Sequence, residues 1–157
     1  MRILLFGALA VYVIIAASNV SAQQIVRGCE ISPRTGCVGV DLSGQSLLNA
    51  ELSGADLSNA NLAGVDLRGA DLYRADLSGA DLSNARMSNT NLSRSNLSGT
   101  NLAGADLSAA QIRAADLSRA NLTGADLSRV ELTYSDLSGV IWIDGRTCAE
   151  GSSGECR

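Results

Sequence analysis

Residues 55–84 read ADLSN ANLAG VDLRG ADLYR ADLSG ADLSN, six units of five residues with a leucine at the centre of each, from Leu57 to Leu82. The pattern continues outward in both directions over residues 40–139, from Leu42 to Leu137, and only Met87 and Ile112 replace the central leucine in its twenty units. A strict internal period of this kind decides the fold before any other feature is read. On an α-helix a step of five residues advances about 140°, so the leucines would scatter around the cylinder and form no buried stripe. Frequent Gly, Ser, Asn and Asp inside the units also oppose a helix. On a straight strand an odd spacing sends successive leucines to opposite faces, exposing half of them. The chain must therefore turn once per unit. The centre and the small residue two before it then point inward, and the other three positions face water. Gly and Asn behind the leucine suit the backbone that such turns require. The period predicts a solenoid rather than a globule.

Composition narrows the function classes. The chain has 157 residues, 46% hydrophobic and 18% charged, with no histidine and with arginine as its only cation. The absence of His and Lys removes imidazole acid–base chemistry, histidine metal ligands, Schiff-base chemistry and the phosphate-cradling lysine of nucleotide-binding loops. A formal charge of −4 opposes binding to nucleic acid through phosphate neutralisation. No serine has a basic partner in the pattern, so the many serines do not indicate a nucleophile.

The amino-terminal stretch reads as a secretory signal peptide. Arg2 is followed by an uncharged run over residues 3–17, shorter than the ~20 residues that span a bilayer, and Val20 and Ala22 give a small-residue cleavage pattern before Gln23. The expectation is an exported chain, periplasmic or extracellular, with no stable membrane anchor after cleavage.

Runs such as Ala75-Asp76-Leu77-Ser78-Gly79 and Ala125-Asp126-Leu127-Ser128-Arg129 resemble the pentapeptide-repeat proteins. The resemblance covers residues 40–139. It implies an all-β fold, a right-handed quadrilateral β-helix with four units per coil. Twenty units then make about five coils and, at ~4.8 Å per strand, a rod of about 24 Å. The expected organisation is a signal peptide over residues 1–22, an N-terminal cap over 23–39, the β-helix over 40–139 and a C-terminal cap over 140–157.

The cysteines flank the repeat. Cys29 and Cys37 precede the first unit and Cys148 and Cys156 follow the last. A rod of about 24 Å separates the two ends, and bonded cysteines need Cα atoms within ~7 Å, so the expected bridges are Cys29 to Cys37 and Cys148 to Cys156. An oxidising compartment agrees with the leader. A zinc site would need close C-x-x-C spacing or histidine partners, both absent, so no metal and no cofactor are expected. Trp142 falls on the next centre after Leu137 and is expected to lie over the final coil as part of the cap.

With four units per coil, residues twenty apart share a face. The Leu57 face carries Asp56, Asp76, Asp116 and Asp136 against Arg119, whereas the Leu52 face balances three acids with Arg74, Arg94 and Arg113 and holds both repeat tyrosines, Tyr73 and Tyr134. Arginine and tyrosine are enriched at interface hot spots, so Tyr73, Arg74, Arg94, Arg113 and Tyr134 form the expected interaction face. The Asp column is read as turn chemistry. Thr90, Ser95 and Thr100, at inward positions, are expected to bond to nearby carbonyls.

The expected function is that of a non-catalytic exported scaffold that meets a protein or envelope component. The family resemblance also implies an alternative, a DNA-mimicking protein that interacts with type II topoisomerases. Charge opposes that reading: −5 after loss of the leader is roughly one charge per 5 Å of rod, against one per ~1.7 Å of duplex DNA.

Overall fold

The computed structural model describes residues 24–157, so the expected leader lies outside the described residues. The described chain opens with a hairpin. Strand β1 (Gln24–Val26) pairs antiparallel with β2 (Cys29–Ile31) in the register Gln24 to Ile31, Ile25 to Glu30 and Val26 to Cys29. Arg27 and Gly28 turn the chain between them, both with positive φ.

Beyond the hairpin each unit contributes one bridge residue, the position before its centre. From Gly36 to Asp56, Asp41 to Asn61, and onward to Asn121 and Ile141, every parallel bridge joins residues twenty apart. One coil therefore contains four units. The ladder runs without interruption: the Leu57 amide donates to the Asp76 carbonyl at 2.7 Å, the Asn59 amide to the Ser78 carbonyl at 2.9 Å, and the Asp76 amide to the Ala55 carbonyl at 2.8 Å. Between bridges the chain turns, as when the Ala60 amide donates to the Leu57 carbonyl at 3.1 Å. The third residue of each such turn is left-handed, as in Asn59 (φ 56°) and Gly79 (φ 66°), the conformation that a type II turn demands there. A Cβ at Gly79 would lie 2.8 Å from Asn59 Oδ1 one coil away, so the Asn59 side chain would have to turn aside to admit one.

The centres from Leu42 to Leu122 stack as the core, at 0–1% exposure, with alanines such as Ala55, Ala60, Ala105 and Ala120 closing its corners at similar burial. Thr90, Ser95 and Thr100 sit among these alanines. Thr90 donates its hydroxyl to the Leu67 carbonyl (2.9 Å), Ser95 to Leu92 (2.7 Å) and Thr100 to Leu77 (2.8 Å), so none is left unpaired. Leu127 and Leu132, read from the sequence as buried like their neighbours, are only partly buried. They belong to the last coil, and no unit twenty residues later bridges to theirs among the described residues.

Both ends are disulfide-closed. Cys29 is bonded to Cys37 with Cα atoms 5.6 Å apart, and Cys148 to Cys156 at 4.9 Å. At the first end Val26 and Ile31 of the hairpin pack on the core, and Arg27 pairs with Asp41 at 2.7 Å. At the other end the chain reverses after Trp142 and returns antiparallel, Thr147 facing Ile141 and Ser153 facing Asp136. Trp142 is half-buried against the core, and its amide donates to the Arg146 carbonyl at 2.7 Å.

The acidic bridge residues hold the turns as well as the ladder. Asp56 Oδ1 accepts from both the Ser58 amide (3.1 Å) and hydroxyl (2.7 Å), and Asp76, Asp81, Asp106 and Asp116 each accept the amide two residues on. Hydrogen bonding to the ionised form favours it. The Arg68 guanidinium, bonded to both oxygens of Asp66 at 2.8 and 2.6 Å, holds that carboxyl below its ordinary 3.8, helped by the Arg68 amide and by Arg86. The Ser128 hydroxyl and amide lower Asp126, those of Ser138 lower Asp136, and those of Ser43, with Arg27, lower Asp41.

Three outcomes follow from this packing. Leu92→Ala should destabilise the fold by about 2–5 kcal/mol in urea unfolding, whereas Leu132→Ala, at a half-buried centre, should cost clearly less. Cys148→Ser with Cys156→Ser should lower stability by about 2 kcal/mol and bring the melting temperature down toward that of the wild type in reductant. The Asp41, Asp66, Asp126 and Asp136 carboxyls bind protons less readily folded than unfolded, so their contribution is complete above the unfolded value near 3.8 and is lost as pH falls through the lower folded values. Melting temperature should therefore be nearly level from about pH 7 to 5 and fall below about pH 4, and Asp66→Asn should make that fall shallower.

Candidate interaction face

The twenty-residue register settles which surface residues are neighbours. Glu51, Asp71, Asn91, Gln111 and Glu131 bridge in succession, so the Leu52 face is one continuous ladder. The next position along each strand forms a second column in which Tyr73 and Arg113 stand two coils apart. The left-handed turn position forms a third, with Gly54, Arg74, Arg94, Ala114 and Tyr134. All five residues singled out from the sequence thus lie on one face, in two adjacent columns.

Arg74 and Arg94 occupy successive coils, with φ of 58° and 61°. Their amides are fixed by the ladder, Arg74 donating to the Ser93 carbonyl at 3.2 Å and Arg94 to the Arg113 carbonyl at 2.9 Å. Both are exposed, and neither forms an ion pair among the described residues. The Arg74 guanidinium carbon lies 5.2 Å from the centre of the Tyr73 ring, a cation–π contact that lays the guanidinium against the aromatic surface. Asp71 Oδ1 accepts from the Asn91 side-chain amide at 2.9 Å and from the Tyr73 backbone amide at 3.0 Å. Arg113, one coil beyond Arg94, lies 3.7 Å from Glu131 in a solvated ion pair. Tyr134, 77% exposed, ends the column beside an open groove of about 490 Å³ lined by residues 130–134 and 153–155. Trp142 lies elsewhere, on the Leu42 side of the last coil.

One member escaped the sequence reading. The Arg34 amide donates to the Ser53 carbonyl, and its Cγ lies 3.3 Å from where Gly54 would carry a Cβ, which places Arg34 at the head of the Arg74 and Arg94 column. The signal was the same subtraction of twenty, carried past the last recognisable unit into the cap.

The remaining faces are chemically quieter. On the Leu57 face Asp56, Asp76, Asn96, Asp116 and Asp136 bridge in one column, and each accepts the amide of the serine two residues later. On the Leu47 face Arg68 and Arg86 neutralise Asp66 at 2.6 and 3.9 Å.

Comparison with known proteins places this architecture. The family described as Pentapeptide repeats matches residues 37–74, 70–108 and 105–141, in eight copies. No curated protein sequence matches the chain. Among solved structures it is similar to Rfr23, a pentapeptide repeat protein from the cyanobacterium Cyanothece 51142, at 29% identity over 68% of this chain and 87% of that one, with a TM-score of 0.65. It is similar also to alr5209, a pentapeptide repeat protein from Nostoc Pcc 7120, at 39% identity over 51% of this chain and 66% of that one, with a TM-score of 0.50. QnrB1, a plasmid-mediated fluoroquinolone resistance protein, matches at 32% identity over 57% of this chain and 44% of that one, with a TM-score of 0.54. With the matched residues spanning the ladder of twenty-residue coils, the chain belongs to the pentapeptide-repeat family.

Proposed function

We propose that this protein is a non-catalytic, exported interaction rod that meets a protein or envelope component through the Leu52 face. The rod is a right-handed quadrilateral β-helix of about five coils over residues 40–139, closed by caps over 23–39 and 140–157. The observation that carries the reading is the column of Arg34, Arg74 and Arg94 beside Tyr73, an aromatic and cationic surface held on a rigid ladder. The ladder fixes the backbone of Arg74 and Arg94, so binding there needs no backbone ordering, and arginine and tyrosine are enriched at hot spots. The two disulfides support an oxidising compartment and hence export after cleavage following Ala22.

The likeness to QnrB1 favours a second reading, a duplex-like rod that meets a type II topoisomerase. It asks for a dense acidic face. Here the densest column, on the Leu57 face, is interrupted by Asn96 and has its carboxylates bonded to the turns.

Two measurements separate these readings. Fractionation with intact-mass analysis should find an exported chain beginning at Gln23 and lighter by four hydrogens than its reduced form. Capture from the exported fraction should retain a partner on the wild type and lose it, by about tenfold in affinity, on Arg74→Ala or Arg94→Ala. Capture indifferent to both substitutions would remove the face, and inhibition of topoisomerase supercoiling would put the second reading first.

A further inference from the structure

The corner of the rod between the Leu52 and Leu57 faces carries cations without counter-ions. Each left-handed residue ends one side of a coil, and two residues later the next side begins at its bridge position, so Arg74 is followed around the corner by Asp76 and Arg94 by Asn96. The two arginines sit on the corner one strand layer, ~4.8 Å, apart. Both are exposed, and neither pairs with an acid among the described residues. Like charges stacked at this interval repel, and an oxyanion lodged between them relieves the repulsion.

The acids beside the corner are missing or engaged where Arg94 stands. Its coil has amides at both flanking bridge positions, Asn91 and Asn96, where the coil of Arg74 has Asp71 and Asp76. Asp71 Oδ1 is already occupied by the Asn91 side chain and the Tyr73 amide. Asn96 accepts the Ser98 amide and hydroxyl through Oδ1, at 3.1 and 2.7 Å, and its Nδ2 has no partner among the described residues. The Arg74 guanidinium rests against the Tyr73 ring, so one of the two cationic forks is oriented before anything binds. The corner therefore offers two guanidiniums and one neutral donor to an anion, with no carboxylate in the coil of Arg94 to oppose it.

We propose that Arg74, Arg94 and Asn96 bind the phosphate monoester of a phosphorylated saccharide, an inference that rests on the Leu52 face being the interaction face and names the chemistry it takes. One guanidinium fork uses both oxygens of a carboxylate, which leaves nothing for a second. A phosphate monoester has three terminal oxygens and a charge of about −1.5 to −2, enough for both arginines. The rest of the ligand follows from what surrounds the pair. A peptide added as a strand needs free backbone groups, and here the ladder has used them, the Arg94 amide on the Arg113 carbonyl and the Asn91 amide on the Ala70 carbonyl. An anionic bilayer laid against the corner would meet the column of Asp56, Asp76, Asp116 and Asp136. Neutral amides remain, Asn96 and the exposed Gln111, which donate and accept as sugar hydroxyls do.

The test is titration of the chain from Gln23 to Arg157 with glucose 6-phosphate, read on the arginine Nε–H resonances. Those of Arg74 and Arg94 should shift saturably, and glucose or glucuronate at the same concentration should leave them in place. Arg94→Asn should weaken binding about tenfold. The same turn position holds Asn59, Asn84 and Asn89 in the left-handed conformation, so this variant keeps the fold. Asn96→Asp, which restores the acid found at Asp76 and Asp116, should weaken binding as much without lowering the melting temperature. Glucuronate binding as tightly as the sugar phosphate overturns the proposal. So does tighter binding of a phosphoserine peptide, Arg94-dependent retention on vesicles of phosphatidylcholine and phosphatidic acid, or binding unchanged by Asn96→Asp. Phosphomonoesterase treatment of the exported fraction should abolish capture of the partner. Capture that survives the enzyme but still falls on Arg94→Asn overturns the phosphate and leaves the interaction face standing, whereas capture indifferent to Arg94→Asn removes the face itself.

Discussion

Everything in this molecule depends on the backbone ladder that joins each residue to the one twenty positions later. A chain with so few aromatic side chains cannot build a large interlocking core. The ladder supplies an alternative, in which stacked leucines and alanines need only repeat, because the backbone has already fixed where each will lie. The turn closing each unit and the left-handed residue within it are the local terms of the same constraint. An insertion of one residue in any unit would shift every later centre out of the core, so the regularity of the sequence is a physical requirement of the ladder.

The surface inherits that rigidity. Because each outward position is repeated at a fixed vertical interval, charge is arranged in columns rather than patches. Where a column is acidic, as on the Leu57 face, its oxygens accept from the serine amides and, at Asp56 and Asp136, from the serine hydroxyls of the turns. Where it is basic, on the Leu52 face, Arg74 and Arg94 form no ion pair among the described residues, and Arg74 rests on Tyr73 instead. The contrast gives the rod one face whose charge is internally engaged and another whose charge is available.

A ladder also creates two ends, and they are solved differently. The first coil receives a hairpin tied down by Cys29 and Cys37, with Arg27 reaching Asp41. The last receives a reversing tail, tied by Cys148 and Cys156, whose backbone bonds to two sides of the coil. Short disulfide loops hold each cap in place where a single layer of contacts would fray.

The sequence by itself determined the solenoid, because a period of five leaves no other way to bury every centre; the family resemblance added four units per coil, and with it the sorting of Tyr73, Arg74, Arg94, Arg113 and Tyr134 onto one face. The cysteine pairing was legible for a related reason: the rod holds the two ends apart. Only the tertiary structure decided what lies outside the period. It placed Arg34 in the arginine column, set Trp142 at the turn of a returning strand, and left Leu127 and Leu132 half-covered in the last coil. None of these is written in a local pattern. Each depends on how a cap of irregular sequence folds back over the end of a regular one, and that is settled by which edge groups the cap reaches rather than by the repeat.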